Sequence, residues 1–230
     1  MLKDKNQYNC IDLFKIIFAI IVVMIHTAPF KEVSVTANWY FSNTVANLAV
    51  PFFFVTSGFL LFKKFSNDDN KKSDILKKYV GHIVKMYLIW CLLWIPWKIL
   101  NYYNTGSFGI LDYFKKLLFV SGGDALWYLP ALSFAIVLVY FLRYKLNFTK
   151  NTILILSLAI YIIGCIISSW YMIFEGNFLV ETYYRVFETV DNGFFCGFMF
   201  VSLGMYIAQS DSTISKMNSV YGVILSFILM

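Results

Sequence analysis

Long uncharged apolar runs, broken by short clusters of charge, constrain this chain more than any other feature. In the run IDLFKIIFAIIVVMIHTAPF only Asp12, Lys15 and His26 are ionisable, and similar runs recur along the sequence. The hydrocarbon core of a bilayer offers no water to backbone or charge. Segments that cross it are therefore helices of about 20 mostly apolar residues. The composition agrees: 60% of residues are apolar and 14% charged, against about 45–50% and about 25% in soluble domains. The expected fold is all-α, a polytopic transmembrane helical bundle whose first partner is the lipid bilayer.

The runs predict spans at about 11–30, 44–62, 79–96, 125–142, 151–173 and 192–209, with a seventh segment beginning near Met217. Lys85 and Lys98 sit near the ends of the third, where long side chains snorkel to the interface. The stretch 110–120, with Asp112, Lys115 and Lys116 among Leu and Phe, reads as a short interfacial helix. The last run, 220–230, is too short to span. Residues 1–230 are thus expected to form a single membrane domain cut short at its C-terminal end. The first run opens on Asp12 and has no small-residue cleavage site after it, so it is read as a retained helix rather than a signal peptide.

The net charge of +6 does not point to nucleic acid here, because basic residues of membrane proteins gather in cytoplasmic loops. KKFSNDDNKKSDILKK holds six lysines, and RYKLNFTK adds Arg143, Lys145 and Lys150. On the opposite side Lys31, Lys115, Lys116 and Arg185 are diluted by Glu32, Glu175, Glu181 and Glu188. This asymmetry predicts a cytoplasmic N-terminus in a cell membrane. The Asn147-Phe148-Thr149 sequon then falls on the cytoplasmic side. Cys10, Cys91, Cys165 and Cys196 are widely spaced without a Cys-x-x-Cys, so no metal or disulfide role is expected.

Lys15 and His26 are 11 residues apart. At about 100° and about 1.5 Å per residue they share one face of the helix, about 16 Å apart along its axis. Asp12 lies three residues before Lys15, within pairing reach. Two readings stand: Asp12 and Lys15 anchor the membrane boundary, or the three line a protein interior. A neutral imidazole at His26 suits general-base work near neutral pH. Lys78, His82 and Lys85 form a basic stripe at i, i+4 and i+7, either a positive-inside anchor or an edge for phosphates. In AVPFFFVTSGFLLF, Pro51 interrupts helical hydrogen bonding, while Ser57 and Gly58 permit close helix approach. After Gly122, Gly123 and the capping Asp124, Trp127 and Tyr128 serve as an outer interfacial anchor or a surface against which substrate binds. Glu188 and Asp191 read as a solvated outer loop with a helix cap.

These stretches resemble the family 3 membrane acyltransferases. DLFKIIFAIIVVMIH is similar to that family's first helix, whose signature is Arg-x10-His. PFFFVTSGFLLF, KKYVGHIVKMYLIW and ALWYLPAL resemble its second, third and fourth helices, in the same order. The AVPFFF-x-x-SG, LWY-x-PAL and NG-x-FF elements look closest to the membrane domain of vancomycin-resistance-type serine racemases.

The resemblance implies about ten spans, hence about seven present here of those expected. It also implies transfer of an acyl group, commonly acetyl, from acyl-CoA to a hydroxyl or amine of a cell-envelope glycan or small molecule. Acyl-CoA is then a donor substrate, with no bound cofactor. By position, Lys15 replaces the signature arginine, losing its planar bidentate fork, and His26 is the signature histidine. His26, Lys15 and Asp12 would be catalytic. Lys78, His82 and Lys85 would receive the phosphates of coenzyme A. The Trp-Ser-Leu-x-x-Glu stretch of many sugar-modifying members is replaced by LWYLPAL. The rival implication is amino-acid uptake, serine above all, by the membrane domain of a racemase-type protein.

Overall fold

The computed structural model describes residues 9–28, 30–45, 48–67, 71–105, 126–170, 176–187 and 189–210, with no strand among them. The interfacial helix expected at 110–120, the turn at 122–124, the seventh segment, Glu175 and Glu188 lie outside the described residues.

Helix α1 is Asn9–Thr27 and α2 the short Val35–Tyr40, which runs into a wide π turn. Helices α3, Ala49–Asn67, and α4, Lys72–Thr105, follow. Helix α5 is Tyr128–Tyr140, widening into a π turn over Phe141–Lys145. Then come α6, Lys150–Ser169, and the short α7, Phe178–Phe187. Helix α8, Phe198–Gln209, is entered through a π turn over Gly193–Gly197. Among the described residues, five helices are long and apolar enough to cross a membrane: Asn9–Thr27, Ala49–Ser66, Lys72–Pro96, Tyr128–Lys145 and Lys150–Ser169. Gly193–Gln209 is apolar but shorter.

Local chemistry sets several boundaries. Thr149 caps α6, its hydroxyl accepting the Thr152 N–H at 3.1 Å. Asn192 does the same for the last helix, its Oδ1 accepting the N–H groups of Phe194 and Phe195 at 2.9 and 3.1 Å. Helix α1 stops where Ala28 turns left-handed, with Pro29 next in sequence to prevent its resumption.

Packing is uneven. Helix α8 lies in the middle of the bundle, burying Phe198, Phe200, Val201, Ser202, Gly204, Met205 and Ala208. Its closest neighbour is α3, and glycines make that seam. A Cβ on Gly58 would lie 2.7 Å from the Val201 carbonyl oxygen, and one on Gly204 would collide with the Val55 carbonyl. The close approach expected at Gly58 is therefore present. Without a hydrophobic drive between helices in lipid, such backbone proximity maximises dispersion contact. Phe54, Phe62 and Phe65 of α3, Ile136 and Val139 of α5, and Ile153 of α6 complete the core. Helix α1 is peripheral. Only Phe18 on it is buried, against Ala49 and Phe52 at the start of α3.

The central helices bring opposite termini together in two places. The start of α3, the entrance to α5, the end of α6 and the entrance to α8 converge around one cavity. The end of α3, the start of α4, the π turn after α5, the start of α6 and the end of α8 converge around another. Helix α6 thus runs opposite to α3, α5 and α8. Helix α3 has 19 residues, about 28 Å at 1.5 Å each, so the two cavities lie about a hydrocarbon thickness apart.

Candidate functional site

The first cavity encloses about 350 Å³. Val50 and Pro51 form one wall, and Trp127, Phe195 and Phe200 supply aromatic surface. Tyr161, Cys165, Ser168 and Ser169 of α6 and its last residues add hydroxyls and a thiol, and Asp191 brings a carboxyl. No cationic side chain is among the described residues that line it. The lining can therefore accept hydrogen bonds from a hydroxyl or amine while packing an apolar body.

Its rim is tied by Asn192. Tyr183 of α7 donates its O–H to the Thr189 carbonyl at 3.0 Å. The Asn192 amide donates to that same carbonyl at 3.0 Å and to the Tyr183 hydroxyl. Tyr183, outside the spans, has its pKa pushed up to about 12, chiefly by burial, which opposes phenolate formation. Asp191 remains exposed as a residue, yet partial enclosure of its carboxyl raises its pKa from 3.8.

Next to this cavity three helices share a polar contact. Ser57 of α3 and Tyr128 of α5 approach at 3.4 Å between hydroxyl oxygens, with the Tyr79 side chain of α4 also near Ser57. The Tyr128 ring packs on Phe54 at 4.7 Å between centroids. Trp127 reaches the cavity and Tyr128 the hydroxyl cluster, so these adjacent residues serve different environments. Tyr79 and Asp191 are the members that sequence alone did not single out for chemistry. A tyrosine directly after two lysines and an acid two residues before a glycine are the only signals they give.

On α1, Lys15 donates to Asp12 at 3.4 Å, the i,i+3 pair anticipated from the spacing. Lys15 is half-buried and His26 exposed. Measured from Phe18 at about 100° per residue, Lys15 lies about 60° and His26 about 80° to the same side. Both flank one edge of the face that meets α3. Among the described residues His26 has no hydrogen-bond or ion-pair partner, and neither cavity is lined by His26, Lys15 or Asp12. Lys78, His82 and Lys85 are exposed along α4. Ile83, Tyr87 and Cys91 form that helix's buried face, and the basic stripe points away from it. The second cavity, about 460 Å³, gathers Lys72, Arg143 and Lys150 instead.

Apolar helices long enough to cross a bilayer, packed through glycine seams around a buried last helix, define a multi-pass α-helical membrane protein. Comparison with known proteins then gives the family. Residues 8–230 match the acyltransferase domain family, acyltransferase 3, and the chain belongs to it. It is 34% identical over 219 residues to an amino-acid racemase of Enterococcus faecalis, covering 93% of this chain and 30% of that protein. It is 28% identical over 205 residues to a serine/alanine racemase of Enterococcus gallinarum, covering 86% of this chain and 29% of that protein. The chain thus spans less than a third of the length of these relatives. No solved structure matches it.

Proposed function

We propose that this membrane acyltransferase domain moves an acyl group, acetyl foremost, from acyl-CoA to a hydroxyl or amine of a cell-envelope glycan or small-molecule acceptor. The observation that carries the reading is on α1. A histidine and a lysine flank one edge of its packed face, the lysine fixed by Asp12, in a chain of this family. The His26 imidazole takes the proton from the acceptor as its oxygen or nitrogen attacks the thioester carbonyl. As the carbon–sulfur bond breaks, the imidazolium returns a proton to the departing thiolate. Lys15 holds the donor from the cytoplasmic end of the same helix, about 16 Å from His26 along the axis, while Asp12 orients its ammonium. Lys78, His82 and Lys85 receive the phosphates of coenzyme A. Trp127 and Tyr128 contact the acceptor, whose entry is the aromatic cavity with Asp191 at its rim. The lysine-rich end and the N-terminus face the cytoplasm of a bacterial cell, following the excess of basic residues there.

A second reading draws on the relatives named amino-acid racemases: the domain passes an amino acid, such as serine, through the membrane. A cavity that carries a carboxyl, with no cation among its described lining residues, suits an ammonium group. Vesicles carrying the intact protein separate the two. Label from acetyl-CoA appearing on a membrane-fraction acceptor supports transfer. Uptake of labelled serine with no acetyl incorporation overturns it.

A further inference from the structure

At the end of the bundle opposite the aromatic cavity, three cations from three parts of the chain line one cavity. Arg143, in the π turn after α5, donates from Nε to the Gln209 side-chain oxygen at 3.0 Å and from Nη1 to the Phe148 carbonyl at 3.1 Å. Lys150, in the first turn of α6, donates to the Gln209 backbone carbonyl at 3.0 Å and to the Ser210 hydroxyl at 3.2 Å. Gln209 in turn donates to the Tyr144 hydroxyl at 3.0 Å. The Lys72 ammonium sits 4.4 Å from the centroid of the Tyr144 ring, with the Arg143 guanidinium 5.9 Å from it. Asn147 adopts the left-handed conformation, the tight turn between the Arg143 segment and Phe148. Short polar Asn tolerates that region better than most residues.

All three cations are half-buried, and no carboxylate is among the described residues lining their cavity. Positive anchoring alone requires neither shared hydrogen bonds nor convergence. Fixed, forked donors around a depression at the membrane boundary match phosphate oxygens. The two hydrogen bonds to Arg143 leave further guanidinium N–H donors for a ligand.

We propose that Lys72, Arg143 and Lys150 form a binding site for a phosphate anion at the lysine-rich membrane boundary, separate from the stripe of Lys78, His82 and Lys85. The phosphate comes either from an anionic lipid headgroup, which basic pockets between spanning helices take up, or from a soluble phosphate compound. The site does not depend on the acyl-transfer reading.

The test uses the intact protein in phosphatidylcholine nanodiscs, with phosphatidylglycerol, inorganic phosphate and coenzyme A as separate probes. Native mass spectrometry measures lipid retention, and calorimetric titration measures the soluble probes. Lys72→Gln is expected to weaken the bound probe about fivefold, the scale of one surface cation, and Arg143→Gln to weaken it further. Lys145→Gln, an exposed neighbour outside the cavity, should leave binding unchanged. Retention of phosphatidylglycerol alone assigns the site to lipid. Binding of only the soluble probes assigns it to a soluble phosphate. Should Arg143→Gln fail to fold, Lys72→Gln still decides. Binding of no probe, or equal losses in Lys72→Gln and Lys145→Gln, overturns the proposal.

Discussion

At one end of the bundle Trp127, Phe195 and Phe200 surround a cavity in which Asp191 is the one carboxyl among the described lining residues. At the other, Lys72, Arg143, Lys150 and Tyr144 line one cavity with no carboxylate among the described lining residues. Helices α3, α5, α6 and α8 reach both ends, and α4 adds Lys72 at the basic one. The difference therefore lies in what each helix carries at its termini, while the apolar middle is shared. Hydroxyls, aromatic surface and one acid suit an uncharged or amine-bearing small molecule. Converging cations suit phosphate.

The largest expected effect breaks both ends at once. Gly204→Val places a branched side chain where even a Cβ collides with the Val55 carbonyl. It should destabilise the protein by about 3 kcal/mol or prevent folding, since overpacking alone costs about 1–3. Thermal unfolding in detergent measures it. Asn192→Ala should act on the aromatic end only. Loss of the cap and of the Asn192 amide's bonds to the Thr189 carbonyl and the Tyr183 hydroxyl should cost about 1–2 kcal/mol, with binding at the basic cavity unchanged. Ser57→Ala is smaller, about 1 kcal/mol, because it removes the partner of the Tyr128 hydroxyl.

The smallest effect is a pH dependence at the rim. The folded-state pKa of Asp191 is raised above 3.8 by burial, so the protonated form is the one favoured by folding. Its contribution is fully present below the ordinary value and lost as pH rises through the raised one. Asp191→Asn should therefore be slightly more stable than the wild type at neutral pH. That advantage should fade as pH falls through the raised value towards 3.8. Equal melting temperatures across that window contradict the assignment.

How much of this was written in the apolar runs can be traced residue by residue. The helices themselves were legible, because lipid exposure leaves a charge-free run. Their ends were less so. The second span was expected to close at Phe62, yet α3 continues to Asn67 because Phe65 is fully buried beside Lys63 and Lys64. Helix α4 likewise begins at Lys72 and runs past Pro96, where charge and proline had suggested limits. The face shared by Lys15 and His26 followed from helical geometry alone. The two cavities did not. Arg143 meets Gln209 across 66 residues of chain, and no local pattern announces that meeting. Asp191 had looked like a solvated cap, and only the neighbouring end of α6 encloses it.

The central claim is that α1 carries the reacting base, and one assay addresses it most directly. Label from acetyl-CoA is followed onto the acceptor in vesicles carrying the wild type, His26→Ala and Lys15→Arg. Removal of a general base lowers rates by about 10²–10⁴-fold, so His26→Ala should transfer almost none. Lys15→Arg, restoring the cation of the family signature, should remain active. Undiminished transfer by His26→Ala contradicts the account.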